Sequence, residues 1–249
     1  MSGPSSNALY FDTNLAQFYD VANRWGADFD YCLGLVTDAA SVLDLGCGTG
    51  ELAAALAQSR RVVGVDPAAA MLDIARARPG SEYVEWVEQD ARTLRLAERF
   101  DLVLLTGHAF QVFLTNDDQH AVLATIAAHL APHGRFVFDS RNPALRTWED
   151  RNRHDSMRRL EHPQLGAIEA WTEPHYDENR QILTYVNGYT VLSTGKAFSA
   201  SAQIRYTEQE TLARLIDAAG LTVERWLGDW DGSPYHPGAK EIIPLGRAA

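Results

Sequence analysis

Ten residues, 42–51 (VLDLGCGTGE), constrain this chain more than any other stretch. Val42, Leu43 and Leu45 form a short apolar run of the kind found in a strand covered on both faces of a parallel sheet. Gly46, Gly48 and Gly50 then remove Cβ from alternate positions, so the backbone can turn tightly and a ligand can approach the main chain. Residues 51–57 (ELAAALA) are strong helix formers, which sets the first N–H groups of a helix beside the loop. Strand, glycine loop and helix together predict a nucleotide site.

The spacing of the glycines separates one nucleotide from another. A dinucleotide fingerprint, G-x-G-x-x-G, needs its third glycine at position 51, where this chain carries Glu51. An anionic pyrophosphate would meet Glu51 and Asp44, whereas a ligand with a sulfonium and an ammonium group tolerates both carboxylates. On those residues, 44–50 (DLGCGTG) resembles motif I of the class I S-adenosylmethionine-dependent methyltransferases. The resemblance implies S-adenosylmethionine as cofactor, with Asp44, Gly46, Cys47 and Gly48 in its site. Residues 18–20 (FYD) resemble an aromatic-Tyr-Asp pattern of the same family, which implies helices that lid the cofactor and a Tyr19 that reaches into the site. The aromatics between Tyr10 and Tyr31 suit packing of helices on a sheet equally well.

Two further acids follow in series. Residues 61–66 (RVVGVD) read as a second buried strand, and Asp66 at its end is placed to accept both ribose hydroxyls, a role compatible with capping the next helix. Pro67 fits the first turn after it, with Met71 and Leu72 facing inward. The family resemblance brings Pro67 into the cofactor site and Met71 against the adenine. After a third strand at 83–87, Asp90 and the N–H of Ala91 supply the acceptor and donor that an adenine edge needs, and they match the family's adenine-binding pair. An aspartate there is also an ordinary turn residue.

Residues 100–105 (FDLVLL) are a fourth strand, ending in Thr106, Gly107, His108, Ala109, Phe110 and Gln111. Ligands of open parallel sheets bind outside the carboxyl ends of the strands where strand order reverses, here between the first and fourth, so this loop borders the methyl donor and Thr106 joins the cofactor residues. Methyl transfer is an in-line displacement, and a proton acceptor is needed only when the acceptor atom arrives protonated. His108 is the candidate base because imidazole titrates near neutral pH, although a loop histidine serves equally to order backbone. Phe110, Gln111, Arg141, Tyr206, Tyr235 and His236 are candidates for the acceptor pocket. Arg141 has the fork to bind an acidic group, or it pairs structurally with Asp139 or Glu149.

A fifth strand is expected at 134–139, followed by a charge-dense solvated connection at 146–162. Residues 167–172, 182–191 and 198–206 have β-rich compositions and predict an antiparallel insertion. Residues 207–210 (TEQE) read as a capping box before a helix, and 221–230 and 241–246 as the last two strands. The expected fold is α/β with an antiparallel β insertion after strand 5, and the family resemblance implies a seven-stranded doubly wound sheet of order 3-2-1-4-5-7-6, last strand antiparallel. Its regions are 1–143 (lid helices and cofactor core), 144–206 (insertion covering the acceptor pocket) and 207–249 (completion of the sheet). Insertions of this kind resemble those of small-molecule methyltransferases, which implies a metabolite accepting methyl at O or N.

Bulk properties narrow the remaining classes. A chain of 249 residues, 46% hydrophobic, suffices for one α/β domain with an addition. A formal net charge of -11 argues against a nucleic-acid partner. Cys32 and Cys47 offer no metal-ligand spacing, and no metal is expected. No apolar run reaches membrane-spanning length and residues 1–7 lack signal-peptide regions, so no membrane partner and a cytoplasmic location are expected, with residues 1–6 disordered. The fourth-strand edge lacks the Pro-Pro-aromatic run of DNA amino-methyltransferases, and neither cysteine stands in the catalytic loop of a cytosine-C5 enzyme. The competing readings are an NAD(P)-dependent oxidoreductase, opposed by Glu51, and a catalytically silent S-adenosylmethionine-binding interaction protein.

Overall fold

The computed structural model describes residues 7–149 and 152–249; the expectation of disorder for residues 1–6 lies outside them. Two compact units are present: Trp25–Leu145 with Tyr206–Ala249, and Arg146–Arg205 with the described part of Met1–Arg24. The N-terminal segment, expected with the core, thus groups with the insertion.

In chain order the helices are α1 (Ala8–Phe11), α2 (Thr13–Ala16), α3 (Tyr19–Ala22), α4 (Ala27–Leu35), α5 (Glu51–Leu56), α6 (Ala69–Ala77), α7 (Asn116–His129) and α8 (Gln209–Ala218). The strands are β1 (Ser41–Leu45), β2 (Arg61–Asp66), β3 (Val84–Glu88), β4 (Phe100–Leu105), β5 (Leu130–Phe138), β6 (Ser140–Arg141), β7 (Arg158–His162), β8 (Gly166–Asp177), β9 (Ile182–Val191), β10 (Ala197–Arg205), β11 (Leu221–Leu227) and β12 (Glu241–Ala248). Among the described residues, no helix is long and apolar enough to cross a membrane.

The larger unit carries a sheet of order β11-β12-β5-β4-β1-β2-β3, with the short β6 also pairing with β12. Neighbours from β3 to β5 run parallel, and β12 runs antiparallel to both β5 and β11. This is the expected order, with β12 in the place of strand seven. Its central strands are apolar on both faces. Leu43, Leu45, Val63, Val65, Val103 and Leu105 pack into one core cluster. Val42, Val62, Leu102 and Leu104 pack into the other. That double coverage is why these strands read as continuous apolar runs rather than alternating ones. Thr115 caps α7 by accepting the Asp118 N–H at 3.1 Å.

The smaller unit carries an antiparallel sheet of order β10-β9-β8-β7. Phe18, fully buried, stacks on Tyr189 at a centroid distance of 4.5 Å and anchors the N-terminal turns to this sheet. Two local expectations are corrected. Residues 158–162 are a strand and not a solvated connection: Arg158 and Arg159 pair with Ala170 and Glu169 of β8, and the charge that hid the strand marks it as a sheet edge. Thr207 does not cap α8, whose N-cap is Glu208 without a side-chain bond; Thr207 is buried and accepts from Gln119 Nε2 at 2.9 Å.

Candidate active site

The carboxyl ends of β1, β2 and β4 meet in the larger unit, as the parallel sheet requires. Gly46, Gly48 and Gly50 all have positive φ (68°, 55° and 74°), so the loop after β1 has the left-handed turns that its glycines permit. Asp66 ties that loop down: its Oδ2 accepts the Gly48 N–H at 2.9 Å and its Oδ1 accepts the Ala68 N–H at 2.8 Å. Asp44 lies beneath, 3% exposed, and burial, followed by the charge of Asp66, pushes its carboxyl up to about 7. Burial also raises Asp66 and the Cys47 thiol. Two desolvated acids under an open glycine loop fit a cationic ligand. Sulfonium and ammonium groups supply the countercharge that a pyrophosphate cannot.

The other expected cofactor residues occupy varied surroundings. Asp90 is half-buried after β3 and gripped by Arg92, whose Nη2 lies 2.6 Å from Oδ2; this fork holds the carboxyl below its usual range. Ala91, Met71 and Thr106 are buried, and Pro67 is exposed. Tyr19 begins α3 in the smaller unit, half-buried and edge-on to Tyr10.

His108 follows β4 in a left-handed conformation (φ 62°), directly after Gly107 at 67°. A non-glycine residue held there marks strain that the surroundings must over-determine. Asp139, the residue after β5, does this by accepting the His108 backbone N–H at 2.9 Å. The ring is held as well. Nε2 lies 3.1 Å from each carboxylate oxygen of Glu241, the first residue of β12, and 3.4 Å from Asp139 Oδ2. Asp139 is 1% exposed, its carboxyl raised chiefly by burial, and its Oδ2 makes no hydrogen bond among the described residues. Asp28, in the first turn of α4, is raised by burial and feels the opposing charge of His108. His108, Asp139 and Glu241 each place one ligand-type atom within 4.8 Å of the others.

The structure sorts the acceptor-pocket candidates. Arg141 donates from Nη1 to Gln111 Oε1 at 3.0 Å, and β6 sets it opposite Glu241 on β12. Glu149 pairs with Arg146 instead, at 2.5 Å. Phe110 is fully buried and stacked on Phe138 at 4.3 Å, and Tyr206 is 2% exposed; both are core residues. Tyr235 donates its backbone N–H to Trp226 O at 2.9 Å in the turn before β12. His236, exposed, accepts the Gly238 N–H at 3.2 Å. Asp28, Asp139 and Glu241 were absent from the sequence candidates. The available signal was topological: the first residue of an antiparallel last strand falls at the carboxyl edge of its parallel neighbours.

Residues 42–134 match a family model described as "Methyltransferase domain". The cypemycin N-terminal methyltransferase of a Streptomyces species is 31% identical over 213 residues, spanning 83% of this chain and 82% of the relative. This chain belongs to the class I S-adenosylmethionine-dependent methyltransferases. A trans-aconitate 2-methyltransferase of Azoarcus sp. (strain BH72) shares 39% identity over 100 residues, 39% of this chain and 37% of that protein. The CcbJ methyltransferase of Streptomyces caelestis has the same fold, with a TM-score of 0.76 at 22% identity over 94% of this chain and 97% of that one. The methyltransferase therefore uses S-adenosylmethionine, and the oxidoreductase and silent-binder readings have no support. The bound cofactor supplies an electrophilic methyl group. The residues that fit it are those of the β1 loop together with Asp44 and Asp66.

Proposed function

We propose that this methyltransferase transfers methyl to an O or N atom of a small-molecule metabolite, with His108 as proton acceptor. Asp44, Gly46, Cys47, Gly48, Asp66, Pro67, Met71, Asp90, Ala91 and Thr106 are assigned to the cofactor, and Gln111, Arg141, Tyr235 and His236 to the acceptor side. The observation that carries the reading is the hold on His108. With Nε2 donating to Glu241, the neutral ring keeps its lone pair on Nδ1, and the carboxylates stabilise the imidazolium that forms when a proton arrives. The relatives' names leave the acceptor open, since one is named for an N-terminus and the other for a small organic acid.

The test is steady-state formation of S-adenosylhomocysteine over a library of hydroxyl and amine metabolites, for wild type and His108→Asn. General-base removal typically costs about 10²- to 10⁴-fold in rate. The expected result is a fall in kcat of that order with cofactor affinity retained. An unchanged kcat removes His108 from proton transfer.

A further inference from the structure

Charge at the His108 cluster is unbalanced in one direction. Two carboxylates, Asp139 and Glu241, lie within 4.8 Å of one imidazole, Asp28 feels the charge of the same ring, and Arg141, whose charge reaches Asp139, is engaged by Gln111. The side chains of His108 and Glu241 are 22% and 16% exposed, so a ligand can reach them. Behind them Asp139 is buried, its Oδ2 3.4 Å from ring Nε2 and without a hydrogen bond among the described residues. A buried, incompletely satisfied acceptor is costly unless something donates to it.

We infer that this cluster is a receptor for a protonated amine, so that the methyl acceptor is a primary or secondary amine captured as its ammonium ion. The inference rests on the methyl-transfer reading above and adds the charge class of its substrate. An ammonium brings N–H donors and a unit positive charge, which answer the carboxylates of Asp139 and Glu241. A hydroxyl brings a donor without the charge, and a carboxylate brings neither. One N–H proton passes to Nδ1 of His108, the ring nitrogen not engaged by Glu241, freeing the amine lone pair. That pair forms the new N–C bond as the methyl–sulfur bond breaks, with its electrons left on sulfur. Glu241 and Asp139 hold the imidazolium until its proton returns to water.

The probe is ethylammonium chloride, titrated into the S-adenosylhomocysteine-loaded protein while the ring resonances of His108 are followed by NMR. Ethanol and sodium chloride at equal ionic strength are the controls. The expected result is a saturable shift with ethylammonium alone, its apparent affinity weakened about tenfold or more in Glu241→Gln, the scale of a lost charged hydrogen bond. The wild-type comparison stands by itself if that variant folds poorly. No response beyond that of sodium chloride overturns the proposal. Broadening by substoichiometric Mn²⁺ that Asp139→Asn abolishes also overturns it, by making the cluster a metal site. Matched alcohols methylated as fast as amines refute the charge class while leaving methyl transfer intact. An unaffected kcat in His108→Asn would instead refute the underlying base reading, with ammonium binding still measurable.

Discussion

Asp44 occupies the end of β1 with 3% exposure, and its burial makes the carboxyl an acid of about 7. In the unfolded chain the same group loses its proton near pH 4. The native state therefore holds a proton that the unfolded state has released, and stability falls with rising pH across that interval. The contribution is fully present below the unfolded value and is lost as pH rises through about 7. Asp44→Asn, isosteric and uncharged, is expected to remove this dependence. Urea denaturation at about pH 5 and about pH 8 should show wild type losing more stability than the variant over that step. Equal losses would mean that Asp44 titrates normally. This site was legible as a residue, because an Asp closing an apolar strand before a glycine loop is conspicuous. Its shifted titration was not, since desolvation comes from neighbours distant in sequence.

At the scale of elements, β2 and the glycine loop are registered by one side chain of β3. A Cβ on Gly64 would sit 2.6 Å from the Trp86 ring, and one on Gly50 2.4 Å from the same ring. Trp86 thus lies across β2 where only glycine leaves room, directly under the turn into α5. Gly64→Ala is expected to cost about 1–3 kcal/mol by overpacking, and Trp86→Leu in the same chain to recover part of it. Chemical denaturation of the single and double variants reads this coupling. Simple additivity would show that the ring yields freely. The sequence shows Gly64 inside an apolar strand, which signals close approach of something, but not that Trp86 is what approaches. β7 shows the converse: its charges suit an edge strand and a loop alike, and only pairing with β8 decides between them.

For the whole molecule, ligand binding to the native state raises stability by mass action. S-adenosylhomocysteine at about one hundred times its Kd should add about 2.7 kcal/mol, read as a melting rise of about 2–4 °C per kcal/mol. Asp66→Ala removes the acceptor for the Gly48 and Ala68 N–H groups, so the free variant should lose about 1–3 kcal/mol. Its rise with ligand should also be smaller at the same concentration. A rise equal to that of wild type would remove Asp66 from the cofactor site.

The sequence by itself determined the features that mark the cofactor loop, while the order of the sheet was implied only by their resemblance to a known family. Those features are local: an apolar run, a glycine spacing and an acid at a strand end each lie within a few residues. The His108 cluster was decided by tertiary structure. His108 and Glu241 are 133 positions apart, and Glu241 reaches the carboxyl edge because β12 runs antiparallel between β5 and β11. No local pattern records such a meeting. Burial and charge at Asp139 exist only once strands from both ends of the unit have paired.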